Sequence, residues 1–186
     1  MSSDGSHSAA QAVIRFWFEE LQPAQWWRVD EGVDQQIRER FGALHRTAAA
    51  GECWAWREQA LGRLAEVIVL DQFSRNLHRG TAGAFASDPM ALALAQEAVA
   101  VGADLALPVA RRAFLYMPYM HSESSVIHRE ALRLFSSPGL EANRDAEQRH
   151  KAIIDRFGRY PHRNRALGRN STDEELHFLT QPGSSF

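Results

Sequence analysis

"LAEVIVLDQFSRNLHRG", residues 64–80, passes from an apolar run into a polar cluster within one predicted helix. From Leu61 to Gln72 the core-facing positions recur at steps of three and four, which predicts a helix with one buried face. Arg75, Asn76 and Arg79 follow, and we expect Gly80 to adopt the left-handed conformation that ends helices. A polar end of this kind is typical of a capped helix or of one wall of a ligand site, and both interpretations stay open.

The same helical spacing recurs along nearly the whole chain, and no strand-like alternation of any length interrupts it. Glycine or proline marks most of the breaks, as at Gly51 and Gly158. The sequence therefore predicts an all-α fold of seven to eight helices, stacked as antiparallel hairpins. We expect one domain over residues 9–180, with flexible ends at 1–8 and 181–186.

Composition excludes several classes of protein. The net charge of −2 argues against a general nucleic-acid binder, and a single cysteine, Cys53, rules out an internal disulfide. No apolar run approaches the roughly 20 residues of a membrane helix, and the N-terminus lacks the pattern of a signal peptide. We therefore expect a cytoplasmic protein without a membrane partner; the oligomeric state is left open.

A second polar cluster is "MPYMHSES", residues 117–124. Pro118 predicts the end or a kink of one helix, and Ser122 is a good N-cap for the next. His121 and Glu123 also form the pairing that general acid–base sites use, because a carboxylate can orient an imidazole and raise its basicity. Capping and catalysis both fit this segment.

The third cluster is "RFGRYPHRNRALGRNST", residues 156–172. Between positions 149 and 169 there are seven basic residues and one acidic residue, so this segment is basic on an otherwise acidic chain. Arginines on irregular backbone are well suited to bind phosphate or carboxylate, because a guanidinium can donate two parallel hydrogen bonds to such a group. Alternatively, the arginines dock on carboxylates of the protein itself. Downstream, Ser171 with Glu174 and Thr172 with Glu175 both have capping-box spacing.

No metal or cofactor is expected. Glu147-x-x-His150 and Glu174-x-x-His177 imitate the di-iron helix motif, but further carboxylates from other helices would be needed. The chain has no Gly-x-Ser-x-Gly, no phosphate-binding glycine loop followed by lysine and no paired-cysteine zinc pattern.

Four motifs in this order resemble the mainly bacterial family known as domain of unknown function 924: "LDQFSRNLHRG", "AFASDPMAL", "FLYMPYMHSES" and "RHKAIIDRFGRYPHRNRALGRNSTDEELHFL". The resemblance covers roughly residues 10–180 and implies a helical fold similar to tetratricopeptide-repeat superhelices. It implies no reaction and no ligand. The chain departs from its relatives at Ser74, where they often have proline, and at His128, where they often have glutamine.

Three hypotheses follow, and all require the polar clusters to converge. In the first, the protein binds a small anion, or a peptide or protein carboxylate, through seven residues: Arg75, Asn76, Arg79, Arg159, Arg163, Asn164 and Arg165. In the second, it is a hydrolase or transferase on a phosphate- or carboxylate-bearing substrate. His121 or His162 would then be the acid or base, oriented by Glu123 or Asp71. In the third, the clusters are buried networks that lock the hairpins together.

Overall fold

A computed structural model describes the backbone of residues 3–185 and the side chains of residues 8–185. Met1, Ser2 and Phe186, at the ends predicted to be flexible, lie outside the described residues. Within them the chain is helical and has no strand, as predicted. The α-helices are α1 Ser3–Arg15, α2 Glu31–Ala49, α3 Ala60–Ile68, α4 Ser74–Leu77, α5 Asp88–Ala100, α6 Val109–Met120, α7 Ser125–Phe135, α8 Glu141–Phe157 and α9 Asp173–Leu179.

Two π-helical segments lengthen these helices. Phe16–Glu20 continues α1, and Val69–Phe73 joins α3 to α4. Counted as continuous rods, the described residues therefore form eight helices, within the predicted seven to eight. Short 3₁₀ turns occupy many of the links, at Pro23–Trp27, Trp54–Glu58, Ala82–Ala84, Ala103–Ala106 and Pro161–Arg163.

The rod formed by α3, the π segment and α4 runs through the centre of the molecule. It packs against α1, α2, α5 and α6, so neighbours cover it on all sides. Every residue from Leu64 to Ser74 is buried. A helix that is covered all round must be apolar or must satisfy its polar groups internally. The Glu66 carboxylate, for example, accepts two hydrogen bonds from Arg57, at 2.7 and 2.8 Å.

Helices that follow one another in sequence pack side by side at α6, α7 and α8, as in a stack of hairpins. The central rod instead contacts helices that are distant in sequence, such as α1 and α6. The likeness to tetratricopeptide-repeat superhelices stays an expectation from the family resemblance. Along the described residues, no helix combines the length and apolar character that crossing a membrane requires.

The segment between α6 and α7 differs from the expectation. α6 does not end at Pro118 but continues through it to Met120, because the neighbouring helices bury that whole turn. α7 begins at Ser125 with Ser124 as N-cap, so Ser122 is not the cap that the sequence suggested. The carbonyl of Ser122 instead accepts a hydrogen bond from His128 Nε2, at 2.8 Å.

Candidate functional site

The three polar clusters meet in space. Arg75 donates two hydrogen bonds to Asp88, at 2.9 and 3.0 Å, and Arg163 donates to the same carboxylate at 3.3 Å. His121 lies on the other side of Arg75, where both contact Asp71. We call Asp71, Arg75, Asp88, His121 and Arg163 the polar junction. It joins the central rod, the start of α5, the end of α6 and the turn after α8.

The π segment places the buried acid of the junction. Asp71 and Gln72 are neighbours in sequence, yet both are buried, with 1% and 8% of their surface exposed. π-helical turns are rare and are often found at functional sites. Arg75 also bonds the backbone carbonyl of Asp71, at 2.7 Å, so its guanidinium ties the carboxylate to the turn that carries it.

Asp71 and His121 form a buried acid–imidazole pair. Nδ1 of His121 donates to the Asp71 carboxylate at 2.7 Å, and Gln72 donates to the other oxygen at 2.6 Å. Burial works to raise the pKa of Asp71, but the charge of Arg75 and the hydrogen bonds from His121 and Gln72 outweigh it and hold that pKa below its usual range.

The contact with Asp71 determines which nitrogen of the His121 ring carries the proton. Burial, reinforced by Arg75, lowers the pKa of His121, so the ring is neutral at pH 7. With the proton on Nδ1, the Nε2 atom carries the lone pair, and no described residue hydrogen-bonds it. The ring is therefore oriented as a base or as a hydrogen-bond acceptor.

Arg163 is an enclosed cation with an unused donor. Only 5% of its surface is exposed, and its guanidinium carbon lies 4.6 Å from the ring centroids of both Phe85 and Tyr160. Its Nε is buried and donates to no described residue. Burial first, and then the nearby charge of Arg75, lower the pKa of this arginine. A buried donor without a protein acceptor is uncommon, and a water molecule or an anion beside it would supply the acceptor.

Arg79 and Asn76 are engaged by the protein itself. Arg79 donates to both carboxylate oxygens of Asp34, at 2.8 and 2.9 Å, and Asn76 donates to the same group at 2.7 Å. Asp34 lies on α2, so these contacts fasten the end of the central rod to that helix. Two of the predicted ligand-binding residues thus have an internal carboxylate.

Arg159 and Asn164 hold the C-terminal helix. Arg159 donates to both oxygens of Glu175, at 2.7 and 2.8 Å, and Asn164 donates to Glu175 at 3.3 Å. Glu175 also completes the capping box with Thr172, which confirms the second of the two capping-box predictions. The hydrogen bonds from Arg159 lower the pKa of Glu175 to about 2.

The remaining predicted site residues, Glu123, His162 and Arg165, do not belong to the polar junction. Glu123 does not contact His121 but accepts two hydrogen bonds from Arg169, at 2.6 and 2.9 Å, and one from the backbone of Tyr160. His162 is largely enclosed, and burial lowers its pKa to about 4. Arg165 is exposed and pairs with no acidic side chain among the described residues.

Asp88, followed by Pro89, has the sequence pattern of a helix start, which does not reveal its further role. The Asp88 carboxylate is the acceptor that Arg75 and Arg163 share. A signal was present, since Asp88 and the Phe85 that covers both arginines belong to the motif "AFASDPMAL". The junction holds two cations and two carboxylates, and with a neutral His121 its net charge is zero.

The family model described as "Bacterial protein of unknown function (DUF924)" matches residues 13–183. The chain belongs to this family. A solved structure, that of the protein of unknown function ATU0120 from Agrobacterium tumefaciens, is 36% identical to this DUF924 chain, with a TM-score of 0.89. The match covers 94% of this chain and 98% of the other. Among curated proteins, none matches this DUF924 chain.

Proposed function

We propose that the protein binds a small anion, a phosphate or a carboxylate, at the polar junction. The observation that carries this proposal is the buried Nε of Arg163, which has no acceptor among the described residues. A guanidinium binds such anions through two parallel hydrogen bonds, and an anion beside Arg163 would supply the acceptor that Nε lacks.

His121 explains how a neutral junction could take up negative charge. An anion next to the imidazole favours its protonated form, so binding would bring a proton to Nε2 and turn this atom into a second donor. The affinity should then rise as the pH falls toward the lowered pKa of His121. Binding should also take up protons from the buffer, which calorimetry in two buffers of different ionisation enthalpy measures.

This site is narrower than the set that the sequence suggested. Asn76, Arg79, Arg159 and Asn164 have internal carboxylate partners, which favours a structural role for them. Exposed Arg165 can attract an anion by its charge without binding it.

Arg163→Lys tests the proposal, because lysine keeps the charge but lacks the guanidinium nitrogens. Arg165→Lys is the matched control, two positions away and exposed. Thermal shift and calorimetry with inorganic phosphate and with acetate should show binding to the wild type and to Arg165→Lys. Arg163→Lys should bind at least about threefold more weakly. Absence of binding to the wild type at millimolar probe, or equal binding to both variants, would refute the proposal.

A second candidate function is catalysis, and the 2.7 Å bond between Asp71 and His121 favours it. A neutral imidazole with an available Nε2 can remove a proton from water, and the two arginines of the junction can stabilise an anionic transition state. Water is the nucleophile in this scheme, since Cys53 is buried and burial raises the pKa of its thiol to about 11. The reaction class is hydrolysis of a phosphate or carboxylate ester.

Chromogenic phosphate and acetate esters test this candidate directly. Wild type and His177→Gln, a change at an exposed histidine, should turn over one of them equally well. His121→Gln should lower the rate at least about a hundredfold, the usual contribution of a general base. Equal rates for wild type and His121→Gln, or no turnover by the wild type, would eliminate the catalytic candidate and leave binding.

A further inference from the structure

A cavity of about 320 Å³ lies between α1, the 3₁₀ turn Trp54–Glu58 and the beginning of α3. It shares no lining residue with the polar junction. Its volume is at the lower end of the roughly 300–1,000 Å³ of pockets that hold small organic molecules. The cavity therefore suits one ring or a short chain.

The inner wall of this cavity is apolar. Ala10, Ile14 and Trp56, all buried, line it. Gly62 lines it as well and leaves the backbone of the central rod in close contact with the 3₁₀ turn: a Cβ at this position would lie 2.0 Å from the carbonyl oxygen of Trp56. The wall thus offers an apolar surface, to which Trp56 contributes, to a flat or aliphatic group.

The polar lining of the cavity carries a net positive charge. Arg15, Arg111 and Glu19 all line it. Arg111 and Glu19 form only a long ion pair, at 3.5 Å, whereas Arg15 pairs with no carboxylate among the described residues. Two amide side chains, Gln11 and Gln59, also line the cavity and hydrogen-bond no described residue. One guanidinium and two amides are therefore available to a ligand.

We propose that this cavity binds a small organic carboxylate with an apolar body. The body would lie against Ile14 and Trp56, and the carboxylate would bond Arg15, whose planar fork suits two parallel hydrogen bonds. A single negative charge balances the one uncompensated cation, which favours a monocarboxylate over a phosphate dianion. The apolar wall distinguishes this site from the polar junction, which would take a bare anion.

Benzoate and benzamide are the probes, because they share the ring and differ in charge. Calorimetry should show benzoate binding to the wild type, with benzamide at least about tenfold weaker. Arg15→Gln should weaken benzoate binding at least about tenfold as well. Arg38→Gln, the same change at an exposed position on α2 outside the cavity, should leave it unchanged. Arg15 is exposed, so its variant should fold normally.

Three results would overturn this proposal. They are no benzoate binding at millimolar concentration, equal binding of benzoate and benzamide, and unchanged benzoate binding to Arg15→Gln. Arg163→Lys separates the two sites, because it changes only the polar junction. Unchanged benzoate binding to this variant is expected, whereas weaker binding would place benzoate in the polar junction and refute the cavity as its site.

Discussion

Replacing Asp88 by asparagine should expose the electrostatic balance of the polar junction. Asp88 is the one carboxylate that contacts both Arg75 and Arg163 there. Asparagine has nearly the same shape but no charge, so the junction would change from two cations and two anions to a net charge of +1. The loss of the carboxylate charge destabilises Arg163 most, because this side chain is nearly enclosed and pairs with no other carboxylate among the described residues.

The expected loss follows from burial. Removing one partner of a fully buried ion pair costs about 3–5 kcal/mol, because the other charge is left uncompensated. Asp88 has 16% of its side chain exposed, and asparagine keeps one acceptor oxygen, so we expect a loss of about 2–3 kcal/mol. For a chain of this length each kcal/mol lowers the melting temperature by about 2–4 °C, which gives a decrease of about 4–12 °C.

Urea denaturation and thermal melting measure this loss. Asp155→Asn is the matched control, because Asp155 forms an exposed pair with Lys151 one helical turn away, and such pairs contribute at most about 0.5 kcal/mol. Inorganic phosphate should restore more stability to Asp88→Asn than to the wild type, since the variant has an unbalanced cation. A loss no greater than that of Asp155→Asn would refute the reasoning about the junction.

Three further predictions concern other parts of the chain. Burial lowers the pKa of His150 from 6.5 to about 3. Between these two pH values the imidazole is protonated in the unfolded chain but neutral in the folded chain, so lower pH favours unfolding. Stability should therefore fall from pH 7 to pH 5 in urea titrations, and less steeply in His150→Gln; equal slopes would contradict this. Gly62→Ala should reduce the melting temperature severely, because its Cβ would clash with the backbone of Trp56, whereas Gly42→Ala, in open space on α2, should be neutral or stabilising. Thr172→Ala removes the N-cap of α9 and should cost about 1 kcal/mol, seen as faster amide exchange in that helix; unchanged exchange would argue against the cap.

The helices were predictable because their signals are local. Apolar periodicity located the buried faces, and Gly80 and Gly158 mark helix ends in the left-handed conformation, with φ of 76° and 68°. The Thr172–Glu175 capping box is also a local pattern. Each of these features is set by residues within one or two turns of each other.

The pairing of charges was not predictable, because it depends on tertiary contacts between distant segments. The sequence showed a basic segment in an otherwise acidic chain, but it did not show which carboxylate would form an ion pair with each arginine. Arg79 meets Asp34, 45 positions earlier, and Arg163 meets Asp88, 75 positions earlier. Without a fold, nothing distinguishes these carboxylates from the exposed ones.

The π segment at Val69–Phe73 makes chain length as important as residue identity in the central rod. Loss of one residue there would be absorbed by closing the π turn into an α turn, whereas loss of a second residue would rotate everything beyond it by about 100°. Arg75 would then turn away from Asp88, although every polar side chain of the junction remained in the sequence. Relatives that keep this junction should therefore tolerate a single deletion within the segment better than a longer one.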